Sequence, residues 1–229
     1  MLRTRDIAGG IGRRARRARW SVVESIGRVE RRVGAGEVAL TFDDGPHPDS
    51  TPRVLDRLGE LGVVATFFCV GRNATAHPEI VRRALAEGHA VGSHSGTHPD
   101  PAELGIGPLA GEYRDGRAAV TAVVGREVPL FRPPHGHLTP RSAAMVRRQS
   151  LRPWLWTVDP TDWRPGVTAA EVAAVATSAV SGDVVLMHDW VEQPWAPEAL
   201  DRSATIEALP AVVRSARDRG LVFTTLPAR

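Results

Sequence analysis

Val38-Ala39-Leu40-Thr41-Phe42-Asp43-Asp44-Gly45-Pro46 is an apolar run that stops abruptly at two adjacent carboxylates and a turn. Its length, its lack of helical periodicity and its flanking Gly36 and Gly45-Pro46 read as a buried strand. Working outward, the phrase repeats: strands are expected at 38–42, 65–70, 90–92, 130–132, 154–157, 184–188 and 222–225. Between them lie helix-like segments at 52–61, 79–87, 109–124, 141–149, 169–178 and 203–219, with Thr139, Thr168 and Asp201 as N-caps. Alternation of this kind is the rhythm of an α/β fold with a parallel sheet.

The polar residues with chemical potential fall just past the strand runs: Asp43-Asp44, His94, Arg132, Asp159/Asp162 and His188. In a parallel barrel the strand C-termini share one face, so residues remote in sequence converge there. The sequence therefore predicts a distorted, TIM-like (β/α)7 barrel over 36–229, preceded by an Arg-rich extension over 1–35. A flavodoxin-like open sheet is the runner-up, but no Gly-rich phosphate fingerprint follows the first strand.

The 229 residues suffice for one sizeable core, and 42% apolar with 24% charged residues is the composition of a soluble globular protein. A single cysteine, Cys69, excludes an intrachain disulfide framework and a multi-thiolate metal site, so a metal would need His and carboxylate ligands. The net charge of +3 is uneven: in residues 1–34 ten Arg face only Asp6, Glu24 and Glu30, a local +7, which leaves −4 for the rest. Arg in the body is scattered and does not interleave with aromatics, so nucleic acid is not the expected partner.

Five segments carry chemistry. Asp43 and Asp44 are adjacent; if one binds a cation and the other faces substrate, both stay ionised and one serves as a general base, although Asp-Gly-Pro alone would also suit a turn. His94-Ser95-Gly96-Thr97-His98 places two imidazoles four apart, a spacing that on one helical turn lets them share a metal with a nearby Asp, leaving positions open for water. Phe131-Arg132-Pro133-Pro134-His135-Gly136 is a strand end running into a rigid loop that could hold Arg132 against a carboxylate and aim an N–H at an oxyanion. Trp156 to Trp163 sets Asp159 and Asp162 beside an aromatic wall. Val184 to His188 ends an apolar strand on one imidazole, which a neighbouring carboxylate can keep protonated as a general acid.

In this order and spacing, from about Gly36 to Thr225, the five segments resemble the polysaccharide deacetylase family, also called the NodB-homology domain or carbohydrate esterase family four. The resemblance implies a hydrolase that removes N-acetyl groups from an amino-sugar substrate. It implies Asp43 as base, Asp44, His94 and His98 as ligands of a divalent metal, zinc in preference to cobalt, and Arg132 orienting Asp43. It further implies the His135 N–H at the oxyanion, Asp162 tuning His188, His188 protonating the leaving amine, and Trp163 and Leu186 shaping the acetyl pocket. Two positions depart from the family: His135 stands where Tyr is common, and Gly96 where an aromatic often follows His-Ser. Both changes are expected to widen the groove or remove stacking surface, which bears on substrate choice rather than reaction type.

Competing readings are a catalytically silent glycan-binding module on the same barrel, and a membrane or nucleic-acid partner acting through residues 1–34. The stretch 13–33 could form a basic helix suited to weak contact with an anionic membrane, but a solvated, frayed extension is the reading preferred here. No secretory-type apolar run precedes residue 40 and no segment approaches a membrane span, so a cytoplasmic location is expected, with peripheral membrane association or export as the alternatives.

Overall fold

The computed structural model describes residues 22–228. In chain order the elements are α1 (22–27), β1 (Glu37–Asp43), α2 (Thr51–Leu61), β2 (Ala65–Cys69), α3 (Gly71–Ala76), α4 (Pro78–Ala86), β3 (Ala90–Ser93) and α5 (Ile106–Val124). They continue with β4 (Leu130–Phe131), α6 (Pro140–Arg148), β5 (Arg152–Pro153), α7 (Ala169–Ala176), β6 (Val184–His188), α8 (Ser203–Asp218) and β7 (Val222–Phe223). All strand pairs are parallel, in the order β5-β4-β3-β2-β1-β6, with β7 beside the first two residues of β1. Val158 bridges Val185 in parallel, which brings the chain after β5 back to β6 and curls the sheet toward closure. The result is the TIM-like barrel with helices outside, as expected.

Strand alternation divides β1 into two faces. Val38, Leu40 and Phe42 pack outward with Val54, Leu55 and Leu58 of α2 and Ile206, Leu209 and Val212 of α8. Each such buried side chain contributes about 1.5–3 kcal/mol of transfer free energy. Ala39 packs instead with Phe68, Leu130, Trp154 and Val184, so the face it shares with Thr41 and Asp43 looks into the barrel. The β1–β6 register sets Asp43 beside His188. Register partners in a parallel sheet point to one side, so the candidate base and the candidate acid start as neighbours.

Several local expectations are met with their physics visible. Thr139 and Thr168 form capping boxes with Ser142 and Glu171; at α8 the N-cap is Arg202 rather than Asp201, whose carboxylate still accepts the Ser203 N–H at 2.8 Å from one residue further out. Others differ. The strand expected at 154–157 is shifted to Arg152–Pro153, because the chain crosses there from β4 to β6: Trp154 N–H donates to Phe131 O at 2.8 Å, and Thr157 N–H to Val184 O at 2.9 Å. No stretch stays opposite one partner long enough to make a long strand. Helix α3 was not expected, since Gly71, Asn73 and Thr75 are poor helix formers in six residues.

Residues 22–33 are docked instead of frayed. Val23 packs with Leu138, Ala143 and Val146, Glu30 N–H donates to Pro153 O at 2.9 Å, and Arg31 Nη1 to Trp156 O at 2.8 Å. The Glu30–Trp154 bridge covers an otherwise open edge at β5, which is why this backbone is ordered against the body. The remainder of the basic stretch, up to residue 21, lies outside the described residues. Among the described residues no helix is long and apolar enough to cross a membrane.

Candidate active site and metal centre

Every candidate site residue taken from the five segments lies at the C-terminal ends of the strands, around or directly behind one cleft of about 300 Å³. Its wall includes Asp43, Asp44, His94, His98, His135, Trp163, Leu186 and His188. That volume lies at the small end of ligand pockets.

Asp44 sits at the turn after β1 with φ 77°, a left-handed conformation that turns its carboxylate away from the strand direction. Its Oδ2 accepts the Glu192 N–H at 2.8 Å, while Oδ1 is buried without any hydrogen-bond partner. That bare oxygen lies 3.3 Å from His94 Nε2 and 3.3 Å from His98 Nε2. Among the described residues these three alone form a group whose donor atoms fall within 4.8 Å of one another. An unpartnered buried carboxylate oxygen facing two imidazole nitrogens is costly unless a cation completes it. The donor set of two nitrogens and one oxygen suits zinc or a similar divalent ion.

The two histidines are not on a helical turn. Ser95 and His98 have φ of 68° and 62°, and the turn is held by Glu112 of α5, which accepts the Gly96 and Thr97 N–H groups at 3.0 and 2.8 Å. The i, i+4 spacing thus converges through a left-handed turn pinned from outside. His94 Nδ1 lies 2.7 Å from Arg132 O, which fixes the tautomer and leaves the Nε2 lone pair facing Asp44 Oδ1, where it could serve a cation. Burial pushes His98 down to about 3 against the pull of Asp44, so its ring is neutral and its lone pair free near neutral pH. Burial alone would raise the Asp44 carboxyl, but the imidazoles of His98, His94 and His188 outweigh it and hold it well below the usual carboxylate range.

Asp43 is paired with a buried cation. Arg132 is 0% exposed; its Nη1 donates to Asp43 Oδ1 at 2.7 Å and to Thr41 Oγ1 at 2.8 Å, and its Nε to Trp154 O at 3.1 Å. Its guanidinium lies over the Phe68 ring at 4.2 Å. One Asp43 oxygen is thereby fixed, and the other, Oδ2, lies 3.7 Å from His94 Nε2, next to the Asp44–His94–His98 group.

At the opposite wall, His188 Nδ1 lies 2.7 Å from Asp162 Oδ1, and Asp162 Oδ2 accepts the His188 N–H at 2.9 Å and Thr205 Oγ1 at 2.7 Å. Arg202 adds a bond to Asp162 O at 2.9 Å. Burial opposes the charged imidazole, but Asp162 prevails and lifts His188 to about 9, leaving it protonated with Nε2 available to the cleft. Of the two carboxylates in this segment, Asp162 engages His188, whereas Asp159 lines the cleft and is raised by burial.

The two departures from the family pattern separate in space. His135 lines the cleft, its ring centroid 4.6 Å from that of His98, and the bonds Gly136 N–H to Pro133 O and His137 N–H to Pro134 O leave its own N–H out of the turn's ladder. Gly96 does not line the cleft: a Cβ there would meet Glu112 Oε2 at 2.9 Å. Of the two positions expected to affect the groove, only 135 lines the cleft. Sequence reasoning missed the segment after β6, where Val191, Glu192, Gln193 and Trp195 complete the wall. Trp195 is 74% exposed. Its position just past a strand C-terminus, in an irregular Trp- and Pro-bearing loop, was the available signal.

Residues 30–154 match the family model described as Polysaccharide deacetylase. A chitooligosaccharide deacetylase of Sinorhizobium fredii is 37% identical over 199 residues, 85% of this chain and 92% of its own. A peptidoglycan-N-acetylglucosamine deacetylase of Bacillus cereus is 35% identical over 210 residues, 89% of this chain and 93% of its own. Among solved structures, a family 4 carbohydrate esterase from Streptomyces lividans in complex with acetate superposes with a TM-score of 0.75 at 30% identity, covering 86% of this chain and 95% of that one. By the family match, these identities and the shared fold, the chain belongs to the polysaccharide deacetylase family.

Proposed function

We propose that this enzyme hydrolyses the N-acetyl group of an amino-sugar oligosaccharide, of the chitooligosaccharide or peptidoglycan-glycan class on which its relatives act. The observation that carries the reading is the bare, buried Asp44 Oδ1 facing His94 and His98 beside the Arg132-held Asp43. A divalent ion held by Asp44, His94 and His98, zinc or cobalt, would supply Lewis acidity for the acetyl carbonyl and acidify a water.

The remaining work belongs to the chain. Asp43, its orientation set by Arg132, takes the proton of the attacking water. The His135 N–H faces the developing oxyanion, and Trp163 and Leu186 enclose the acetyl methyl. His188, kept protonated by Asp162, gives its proton to the departing sugar amine, which otherwise leaves as an unstable anion. Trp195 presents a flat apolar face at the rim, suited to a sugar ring beyond the reacting one.

The catalytic unit is taken as 36–229 with residues 22–33 docked on it, acting in the cytoplasm without nucleic acid; membrane contact by the basic 1–34 segment is a subsidiary role. Acetate release from chitooligosaccharides and from N-acetylated peptidoglycan fragments, with zinc or cobalt added to metal-stripped protein, tests the proposal. Turnover that needs the ion supports it; sugar binding without turnover would instead favour a silent glycan-binding module.

A further inference from the structure

We infer that the segment 70–73, together with Glu192, is a positioning device that decides which Asp44 oxygen faces the cation and so sets how tightly the site holds metal. The inference rests on reading Asp44, His94 and His98 as ligands. Three separate turns must meet for that site to exist, and one four-residue segment touches all of them.

Its backbone engages both ligand-bearing turns. Val70 N–H donates to Gly45 O at 3.0 Å, Gly71 N–H to Ser95 O at 2.9 Å, and Arg72 N–H to Gly96 O at 3.0 Å. The packing leaves no slack: a Cβ on Gly116 of α5 would lie 2.2 Å from the Ser95 carbonyl carbon, and a Cβ on Gly71 would lie 2.9 Å from Gly116 Cα. Its side chains reach the third turn. Asn73 Nδ2 donates to Asp44 O at 2.9 Å and to Glu192 Oε1 at 2.7 Å, and Arg72 pairs with the other Glu192 oxygen.

Glu192 is the connection to the ligand itself. Its carboxylate is 5% exposed, so it is committed to Asn73 and Arg72, and its own N–H donates to Asp44 Oδ2 at 2.8 Å. Occupying Oδ2 in this way orients the carboxylate so that Oδ1 is the oxygen offered to His94 and His98. The loop after β6 is tied at Asp189 to Gly45, Ser50 and Thr51, and Trp190 stacks on His47; at Glu192 itself, the side-chain bonds to Asn73 and Arg72 hold the peptide N–H on Asp44. Partners that orient metal ligands typically contribute about 10–100-fold in affinity. Arg72 is half exposed, so its ion pair adds little beyond the Asn73 anchor.

The test is the zinc dissociation constant of the metal-stripped full chain, measured by competition with a chromogenic chelator, alongside the thermal midpoint of each metal-free variant. Asn73→Leu and Glu192→Ala should weaken zinc binding by about 10–100-fold. Glu192→Gln keeps an amide oxygen for Asn73 and should remain near wild type. If Asn73→Leu fails to fold, the Glu192→Ala and Glu192→Gln pair decides. Wild-type affinity in Glu192→Ala overturns the inference, as does equal weakening in both Glu192 variants. If zinc binding survives His94→Ala combined with His98→Ala, the ligand reading itself falls, and the inference falls with it.

Discussion

Two imidazole–carboxylate contacts share one cleft, and the same two residue types do opposite things in them. His98 lies 3.3 Å from an Asp44 oxygen in poor hydrogen-bond alignment, and its Nδ1 has no partner among the described residues. His188 is held at 2.7 Å by an Asp162 that Thr205 and Arg202 lock in place. Burial drives the first imidazole down to about 3, while the second is lifted to about 9. A carboxylate that aims an unshared oxygen between two rings prepares a cation site; one that clamps a single ring prepares a proton donor. Pairing type alone does not assign the role. The number of other bonds made by the carboxylate does.

The comparison can be broken in several places. The largest effect is expected from Asp43→Asn, which leaves both pairs intact but removes the proposed proton acceptor between them; kcat for acetate release should fall by about 100- to 10,000-fold with zinc still bound. Retained turnover would move the base elsewhere. Next comes Arg132→Met, which strands the buried Asp43 carboxylate and should lower unfolding free energy by about 3–5 kcal/mol in denaturant titrations.

The acid pair can be read by pH. Because His188 is raised in the folded protein from its ordinary 6.5 to about 9, the stability it contributes is fully present below 6.5 and is lost as pH rises through about 9. The alkaline limb of kcat/KM should follow the same group. Asp162→Asn should move that limb to lower pH by about one to three units while leaving zinc affinity unchanged. An unmoved limb would separate His188 from the proton donor. The smallest effect belongs to the rim: Trp195→Ala should raise KM several-fold for longer oligosaccharides with kcat unchanged, because ring stacking there contributes equally to bound substrate and transition state.

Much of this is legible in the sequence itself. The apolar run 38–42 fixes a strand whose alternate residues must face two ways, and Asp43 inherits the interior direction from Thr41 and Ala39. Thr139 and Thr168 announce their helices through side chains that satisfy the first N–H groups. The cleft residues from Asp43 to His188 stand just past strand ends, where a parallel sheet gathers them. What stayed hidden has no local signature. The turn that joins His94 to His98 depends on Glu112, a surface-type residue in the middle of a helix. Asn73 and Glu192 matter through partners about 120 residues away, 119 in their mutual bond, and nothing adjacent to either reveals it. The position of β5 depends on the chain crossing to β6, which periodicity does not encode.

The most direct test is a zinc titration of metal-stripped wild type and of the His94→Ala/His98→Ala variant, with acetate release read on the same samples. One equivalent bound by the wild type, with binding and release both lost in the variant, is the expected result. Full acetate release by metal-stripped wild type, or one tightly bound equivalent in the variant, would contradict a metal centre built on Asp44, His94 and His98.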